Sequence, residues 1–337
     1  MRVLVVGGAG YIGSHACKAL SKAGHEPIVV DSLIYGHREA VKWGPLEIGD
    51  MLDAPWLAEV FSRHKPEVVM HFAAFAYVGE SVSDPAKYYH NNITGTQVLL
   101  ETMRQADVKN IIFSSTCATY GEVTHLPIEE ETRQYPINPY GFTKLVVEHM
   151  LADYQRAYGL GWVALRYFNA AGADPDGEIG ESHDPETHAI PLAIAAALRI
   201  GAEFKVFGAD YETPDGSALR DYIHVTDLAD AHVRAMDYLQ RGGTPTAFNL
   251  GTGKPTSVFD LIAAVSRVTG SNLPHDILPR RPGDPPALYA AAAKAKNLLG
   301  WEPRYSDIDT IVRTAVTWHP PSSILGVAVI HESLKFI

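Results

Sequence analysis

The first half of the chain alternates between two patterns of hydrophobic and polar positions. Short, nearly continuous apolar runs are separated by longer segments in which apolar residues recur every three or four positions. Such runs predict strands that are buried on both faces of a parallel sheet, and the intervening segments predict the helices that cover it. The six runs are RVLVVGG, EPIVVDSL, PLEIGD, EVVMHFAA, NIIFSST and GWVALRYFN.

Strands and helices in this order predict an α/β fold with a doubly wound parallel sheet, the Rossmann arrangement. From about residue 170 the pattern becomes irregular, although TAFNLGTG (246–253) predicts one more strand that returns to the sheet. We therefore expect a nucleotide-binding Rossmann domain over 1–169, with a returning segment near 225–258. A smaller α/β domain over 170–337, interleaved with the first, is expected to bind the substrate.

Composition narrows the possible functions. Of the 337 residues 46% are hydrophobic and 20% are charged, as in an ordinary globular enzyme, and the formal net charge of -11 argues against nucleic acid as the main partner. Cys17 and Cys117 are the only cysteines, so no disulfide framework is expected. The N-terminus lacks the features of a signal peptide, and no apolar run reaches the roughly 18 residues of a membrane-spanning helix. We expect a cytoplasmic protein that does not bind membranes.

Neither the histidines nor the C-terminal tail receives a functional assignment. The 15 histidines show no metal-ligand spacing, and His224, inside RDYIHV, is expected to be a packed residue, so no metal site is predicted. The tail PPSSILGVAVIHESLKFI (320–337) begins with two prolines that end the preceding helix. A packed extension, a strand that pairs with another chain and a non-native end all remain open for this tail.

A glycine-rich turn follows the first predicted strand. GGAGYIGS places Gly7, Gly10 and Gly13 before a predicted helix, where glycine permits a tight turn and lets the backbone approach a pyrophosphate. Asp31 ends the second apolar run 24 residues after Gly7, near the roughly 20 residues expected for an acid that binds a ribose diol. Because a carboxylate would repel a 2′-phosphate, the sequence favours NAD over NADP. A turn without a ligand, capped by Asp31, is the alternative.

The candidate catalytic residues lie in two segments. NPYGFTKLVVEHML (138–151) predicts a helix in which Tyr140 and Lys144 are one turn apart on the same face. A nearby ammonium, together with the positive nicotinamide ring of NAD, would lower the pKa of a phenol from about 10, so that Tyr140 would act as a general base near neutral pH. SSTCATYG (114–121) brings the hydroxyl of Thr116 to the end of the fifth strand. Taken alone, the tyrosine and lysine would be an ordinary surface pair; with Thr116 and a nicotinamide they predict hydride transfer at an alcohol carbon.

As a set, the motifs resemble those of the extended short-chain dehydrogenase/reductase family, and within it the UDP-sugar 4-epimerases that act on UDP-glucose and UDP-galactose. The resemblance covers residues 1 to about 318. It is carried by GGAGYIGS, HFAAFAYVGES, YYHNNITGT, SSTCATYG, NPYGFTK, LRYFNAAGA, LRDYIHVTDLADAH, NLGTG and PRRPGD. It implies an NAD that stays bound, accepts hydride from carbon 4 of the sugar and returns it to the opposite face of a rotated 4-keto intermediate.

The resemblance leaves the substrate open. Related nucleotide-sugar dehydratases and decarboxylases carry an acid just after the strand-end hydroxyl, whereas here Cys117 and Ala118 follow Thr116, which favours an epimerase. FAYVGES with SSTCATYGE is also similar to UDP-xylose/UDP-arabinose 4-epimerases, and UDP-N-acetylglucosamine is a further candidate substrate. A dehydratase and a catalytically silent NAD-binding sensor are the remaining alternatives.

Carried over position by position, the resemblance assigns three groups of site residues. The expected catalytic residues are Thr116, Tyr140 and Lys144. The expected cofactor contacts are Gly7, Gly10, Tyr11, Ile12, Gly13, Asp31, Leu33, Gly36, Asp50, Met51, Phe72, Ala73, Ala74, Ala76, Asn91, Ser114, Tyr140, Lys144 and Phe168. The expected substrate contacts are Thr116, Tyr140, Asn169, His188, Lys205, Phe207, Arg220, Tyr222, Arg281 and Asp284.

Several of these residues have simpler alternatives or depart from the family pattern. A strand-end cap is the alternative for Asp50, and a helix cap is the alternative for Asn91. Arg220 and Arg281 suit a diphosphate because a guanidinium matches phosphate oxygens bidentately, although a salt bridge is the common role of a lone arginine. Three residues replace those of relatives, namely Ala76 for a lysine near the nicotinamide ribose, His188 for an asparagine at the diphosphate, and Leu288 at the position that sets the bulk allowed at carbon 2.

The resemblance also implies a homodimer. Its interface would be formed by the segments AKYYHNNITGTQVLLETMRQA (86–106) and PYGFTKLVVEHMLADYQRAYG (139–159). The apolar residues of these segments would equally suit the core of the monomer, and both alternatives stay open. They are Val98, Leu99, Met103, Leu145, Val146 and Met150.

Overall fold

A seven-stranded parallel sheet forms the centre of the protein, whose computed structural model describes residues 1–201, 203–281 and 284–319. The strand order is β3-β2-β1-β4-β5-β6-β11. All neighbouring strands are parallel, so the prediction of a doubly wound sheet is confirmed. The strands are β1 (Arg2–Val6), β2 (Glu26–Asp31), β3 (Leu46–Ile48), β4 (Val68–His71), β5 (Asn110–Thr116), β6 (Gly161–Tyr167) and β11 (Thr246–Leu250).

The returning strand and the six predicted runs therefore all belong to one sheet. The strand predicted at 246–253 is β11, which pairs with β6 in parallel register, Phe248 opposite Leu165. The order of strands reverses between β1 and β4, both of which are followed by cavity-lining loops. In open α/β sheets this switch point is where ligands bind.

Eleven α-helices are present in the described residues. They are α1 (Tyr11–Lys22), α2 (Ala54–His64), α3 (Val78–Ser83), α4 (Pro85–Tyr88), α5 (Gly95–Gln105), α6 (Pro139–Tyr158), α7 (Ala189–Ala197), α8 (Val225–Gln240), α9 (Val258–Thr269), α10 (Ala293–Leu299) and α11 (Ile308–Trp318). A π-helical segment, Tyr89–Thr94, joins α4 to α5. No helix in the described part of the chain has the length and apolar character needed to cross a membrane.

Helices cover both faces of the sheet because alternate residues of each strand point to opposite sides. In β1, Val3 and Val5 pack with α1, α8 and α10, whereas Leu4 and Val6 pack with α2, α5 and α6. This two-sided burial explains why the strands read as continuous apolar runs rather than as alternating ones. Each face is a closed hydrophobic core.

A second hydrophobic core lies beyond the sheet, formed by α7, α9 and α11 with residues of three short strands. These three are β7 (Asn169–Ala171), β8 (Phe204–Phe207) and β10 (Tyr222–His224). The other short strands of the described residues are β9 (Leu219–Arg220), β12 (Thr256–Ser257), β13 (His275–Leu278) and β14 (Ala287–Leu288). We propose the division expected above on this basis, since α8 packs with the sheet and α9 packs in the second core. The tail 320–337 lies outside the described residues.

Candidate functional site

One large cavity opens at the carboxyl ends of the sheet strands and continues to the second core. Its volume is about 840 Å³, within the range of about 300–1,000 Å³ that is usual for ligand pockets. With the exception of Leu33, every predicted cofactor, substrate and catalytic residue lines this cavity. Residues from sites as far apart in sequence as Gly7 and Asp284 therefore meet in one place.

The turn after β1 has the shape of a phosphate-binding cradle. Gly7 has a φ of +85°, and a Cβ on this residue would lie 2.5 Å from the backbone nitrogen of Ala73. A Cβ on Gly13 would lie 2.2 Å from the carbonyl oxygen of Gly7. At Gly10, by contrast, a Cβ would meet nothing closer than that same oxygen at 3.4 Å. Gly7 and Gly13 are needed for the turn, and Gly10 leaves room above the N-terminus of α1 for a dinucleotide diphosphate.

Asp31 has a structural role as well as a place in the cavity wall. Its Oδ2 accepts a hydrogen bond from the backbone nitrogen of Ala9 at 2.9 Å, and its Oδ1 accepts one from that of Leu33 at 2.8 Å. Burial raises the pKa of this carboxyl, although the two hydrogen bonds oppose the change. Leu33 itself packs against the core, so it acts by positioning Asp31. Each carboxylate oxygen keeps an acceptor position for a ribose hydroxyl.

For two other predicted cofactor residues, Asp50 and Asn91, the alternative role was a cap, and the structure gives them different roles. Asp50 is exposed and its Oδ1 accepts a hydrogen bond from the backbone nitrogen of Leu52 at 2.9 Å, so it caps a turn while lining the cavity. Asn91 lies inside the π-helical segment and donates to Oδ1 of Asn92 at 2.9 Å. Asp84 is the N-cap of α4, where this helical run begins, so Asn91 is not a helix cap.

The three hydroxyls at the end of β5 divide between the two faces of the sheet, as the period of a strand requires. Ser114 and Thr116 face the cavity, and the hydroxyl of Ser114 hydrogen-bonds that of Tyr167. Ser115 points to the other face and donates to the buried carboxylate of Glu148, which pairs with Arg166. Of the three residues, only Ser114 and Thr116 are therefore placed to meet a ligand.

Helix α6 delivers Tyr140 and Lys144 to the same end of β5. The side chain of Asn138 accepts a hydrogen bond from the backbone nitrogen of Gly141 at 2.8 Å, and Pro139 occupies the first helical position. This cap fixes the start of the helix, so that Tyr140 falls in its first turn. The Tyr140 hydroxyl hydrogen-bonds Thr116, and Nζ of Lys144 donates to the carbonyl oxygen of Ser114 at 2.7 Å.

Burial dominates the electrostatics of this pair. It raises the pKa of Tyr140 to about 12, with the hydrogen bond from Thr116 opposing the change. Burial also lowers the pKa of Lys144 to about 7, although Glu148 opposes that change. Lys144 thus carries only part of its charge at neutral pH. The predicted lowering of the pKa of Tyr140 relies on the positive nicotinamide ring as well as on Lys144, and it stays a prediction.

Among the described residues, no carboxylate contributes to the pKa of Tyr140. The side chain that follows Thr116 is Cys117, and burial raises the pKa of its thiol to about 12. This thiol carries no charge near neutral pH. The reaction centre therefore contains a phenol, a hydroxyl and an amine without an adjacent acid.

The far end of the cavity holds the predicted substrate residues. Arg220 forms an ion pair with Asp284 and donates to the carbonyl oxygens of Leu219 and Pro285 at 2.8 and 3.0 Å. The guanidinium of Arg281 lies 3.6 Å from the ring centroid of Phe207 and is exposed to the cavity. The two guanidinium groups thus differ, because one is fixed by a carboxylate and the other is stacked on an aromatic ring.

The remaining substrate residues complete that wall. Asn169 and Tyr222 are register partners in the parallel pair of β7 and β10. Lys205 is on β8, and His188 is the N-cap residue of α7. Leu288 does not line the cavity. It packs beside Phe168 in a small cluster with Tyr120 and Ile128.

Comparison with known proteins matches this site to a family. Residues 3–251 match the model of the "NAD dependent epimerase/dehydratase family". A UDP-glucose 4-epimerase from Rhizobium leguminosarum bv. trifolii is 54% identical over 321 residues, which are 95% of this chain and 98% of that protein. The chain belongs to the NAD dependent epimerase/dehydratase family.

Solved structures of the family share the whole fold. The UDP-glucose 4-epimerase from Brucella ovis, in complex with NAD, is 57% identical, with a TM-score of 0.91 over 93% of this chain and 96% of that one. The UDP-glucose 4-epimerase from Stenotrophomonas maltophila, with bound NAD and formylated UDP-arabinopyranose, is 39% identical, with a TM-score of 0.92 over 97% and 99%. The Rossmann-type α/β fold predicted above is thereby confirmed.

The site of this family member includes residues that the sequence analysis did not single out. Tyr77 lines the cavity within FAYVGES, and its buried hydroxyl has no hydrogen-bond partner among the described residues. Glu181 and His183 also line the cavity, in the segment ESHDPETH (181–188). Tyr77 belongs to the family motif FAYVGES, which could have identified it from the sequence. No motif marks Glu181 and His183, because their place in the cavity wall depends on how the segment 181–188 folds.

Proposed function

We propose that the chain is a UDP-glucose 4-epimerase that uses NAD and interconverts UDP-glucose and UDP-galactose through a 4-keto intermediate. The observation that carries this proposal is the group of Thr116, Tyr140 and Lys144 at the cavity end of β5, where none of the described carboxylates contributes to the pKa of Tyr140. Without an adjacent acid, no side chain of this group would promote elimination from the keto sugar, and return of the hydride would be the reaction left. The family and the named relatives support the same activity.

The chain's own residues have distinct tasks in this reaction. When bound, NAD supplies an acceptor and a donor for hydride. Tyr140 removes the proton from the sugar's 4-hydroxyl and later returns it, while Thr116 shares a hydrogen bond with the same oxygen. A nearby positive charge lowers the pKa of a phenol, so the positive nicotinamide ring and the remaining charge on Lys144 would bring Tyr140 into the working range.

The diphosphate has to be held more firmly than the sugar, since the sugar must rotate in the site between the two hydride transfers. Arg220, Arg281 and His188 place positive or donating groups along the far wall, where the diphosphate would lie. Contacts that bound each sugar face tightly would slow the rotation and therefore the cycle. Firm phosphate contacts and few sugar contacts are what the proposal requires.

One panel tests the proposal. The purified protein, with no added NAD, is incubated with UDP-galactose, UDP-xylose and UDP-N-acetylglucosamine, and the products are followed by NMR. The proposal expects the highest kcat/KM for UDP-galactose. Preference for UDP-xylose would reassign the substrate to pentoses, and an accumulating 4-keto product would indicate a dehydratase. No turnover of any sugar by protein that contains NAD would indicate a binding protein instead.

We also propose a homodimer formed through α5 and α6. Tyr89 and Phe142 are 40% and 45% exposed, and their rings pack edge to face at 6.3 Å. Leu145, Val146 and Met150 are partly exposed on α6, whereas Leu99 and Met103 are fully buried in the core of the monomer. The interface would therefore use the π-helical segment Tyr89–Thr94, which leads into α5, and the outer face of α6. Light scattering that gives a monomer at micromolar concentration would contradict this proposal.

The proposed activity places the enzyme in galactose metabolism. Its two cysteines, Cys17 and Cys117, are free thiols, which fits a reducing compartment such as the cytoplasm. Cell fractionation that found the protein with secreted material would contradict the cytoplasmic assignment.

A further inference from the structure

Four ionisable side chains converge on one wall of the cavity, all from the segment ESHDPETH. They are Glu181, His183, Glu186 and His188, and their nearest ligand-type atoms all lie within 4.8 Å of one another. Glu181 is 4% exposed, whereas His188 is open to the cavity. The cluster is therefore anchored in the protein and reachable from solvent.

A second group of acids shows what a satisfied cluster looks like. Asp174, Asp176 and Glu178 also lie close together, but Nζ of Lys18 occupies their centre at 2.6, 2.8 and 2.6 Å. That position is filled by an ammonium. In the cluster of Glu181 no lysine or arginine takes the corresponding place among the ion pairs of the described residues.

The side chains of the cluster lie close enough together to share one cation. Nδ1 of His188 lies 2.9 Å from Oε1 of Glu181 and 2.8 Å from Oε1 of Glu186. Nδ1 of His183 lies 3.2 Å from Oε1 of Glu181 and 3.8 Å from Oε2 of Glu186. Ligand atoms at about 2.0–2.2 Å from a tetrahedral Zn²⁺ are about 3.3–3.6 Å apart. The four observed distances fall on both sides of that value.

The surroundings of His183 also fit a metal ligand. Its Nδ1 is buried and lies 3.2 Å from Oε1 of Glu181, yet it makes no hydrogen bond among the described residues. A bound ion would satisfy such a buried nitrogen. Imidazole and carboxylate donors in this number suit Zn²⁺.

The charges of the ligands also suit a divalent cation. The carboxylates of Glu181 and Glu186 would offset its double positive charge, whereas the imidazoles of His183 and His188 would bind as neutral ligands and add no charge.

We propose that Glu181, His183, Glu186 and His188 form a Zn²⁺ site that fixes the segment 181–188 in the cavity wall. The sequence analysis expected no metal site, because spacing alone did not show that these side chains converge. Both histidines bind through Nδ1, which leaves Nε2 of His188 available to the substrate. The site goes beyond the proposed epimerase activity, because hydride transfer needs no metal.

The test uses untagged enzyme that retains its NAD and has been treated with a chelator and then dialysed. Zn²⁺ alone is titrated in by calorimetry at pH 7.5. We expect one Zn²⁺ per chain with a Kd below about 1 µM. With Co²⁺ as the probe, the visible absorption of tetrahedral coordination should appear at the same stoichiometry.

His183→Ala and Glu186→Gln should each weaken binding by at least about 100-fold, because each loses one of four ligands. His125→Ala, which removes an exposed histidine elsewhere, is the matched control and should bind normally. Circular dichroism and NAD content verify that the variants fold. Absence of saturable binding by the parent enzyme would overturn the proposal, and so would cluster variants that both bind Zn²⁺ with the affinity of the parent. Either result holds whether or not the enzyme epimerises UDP-sugars.

Discussion

Replacement of Lys144 by methionine tests whether this lysine contributes to catalysis while it destabilises the folded protein. The side chain is fully enclosed, with its Nζ hydrogen-bonded to the carbonyl oxygen of Ser114 at 2.7 Å and 4.8 Å above the ring of Phe113. Methionine fills a similar volume without a charge. We expect Lys144→Met to lose turnover and yet to be more stable than the parent at mildly acidic pH.

The magnitude follows from the pKa and the hydrogen bond. Burial lowers the pKa of Lys144 from 10.5 to about 7, with Glu148 opposing the change. That difference corresponds to about 5 kcal/mol of destabilisation by the charged form. Loss of the hydrogen bond to Ser114 removes about 1–3 kcal/mol of stability. The variant should therefore unfold with a free energy about 2–4 kcal/mol higher than the parent at pH 6.

The sign of the pH dependence is fixed by proton binding. Between pH 7 and 10.5 the unfolded chain holds a proton on Lys144 that the folded chain has lost, so the parent's free energy of unfolding rises with pH over this interval. The variant lacks this contribution. Its advantage over the parent should be greatest below pH 7 and should shrink, or reverse, as the pH approaches 10.5.

The assay is urea unfolding of both proteins, freed of nucleotide because bound NAD stabilises only the folded state. Far-UV circular dichroism is recorded at pH 6 and pH 9.5. Lys87→Met is the matched control, since burial lowers the pKa of Lys87 but its hydrogen bonds and charge interactions with Glu80 and Tyr35 together raise it by more. That variant should be slightly less stable at both values. If Lys144→Met is less stable than the parent at pH 6, or if its difference from the parent is the same at both pH values, the reasoning is refuted.

Three further substitutions test other parts of the site. Tyr140→Phe should lower kcat by about 10²–10⁴-fold while NAD stays bound, since it removes the general base; unchanged steady-state turnover would reject this role. Gly13→Ala places a Cβ 2.2 Å from the carbonyl oxygen of Gly7, so the purified variant should retain little NAD by absorbance after denaturation. Glu148→Ala leaves the buried guanidinium of Arg166 without its carboxylate and should cost about 3–5 kcal/mol in urea unfolding; a loss below 1 kcal/mol would show that the pair is not needed.

The sheet was predictable from the sequence because its strands are buried on both faces. Seven apolar runs and the helices between them correspond to the seven strands, including β11. The relation of Tyr140 to Lys144 was equally accessible, since a helix with Asn138 at its cap fixes the spacing of its side chains. Local periodicity and capping thus carry the fold and the catalytic face.

The properties that depend on enclosure were not predictable. Burial, which no local pattern records, raises the pKa of Tyr140 and leaves Lys144 partly neutral. Leu99 and Met103 lie in the core of the monomer, where an interface was an equal possibility. The cluster of Glu181 and His183 arises only when the segment 181–188 folds back on itself.

The retention of hydrogen at the inverted carbon tests the central claim most directly. UDP-glucose labelled with deuterium at carbon 4 is incubated in ordinary water with catalytic amounts of the enzyme and no added NAD, and the UDP-galactose is analysed by mass spectrometry and NMR. If Tyr140 moves only the hydroxyl proton while the cofactor holds the hydride, the product keeps its deuterium at carbon 4. Replacement of that deuterium by solvent hydrogen would contradict the account.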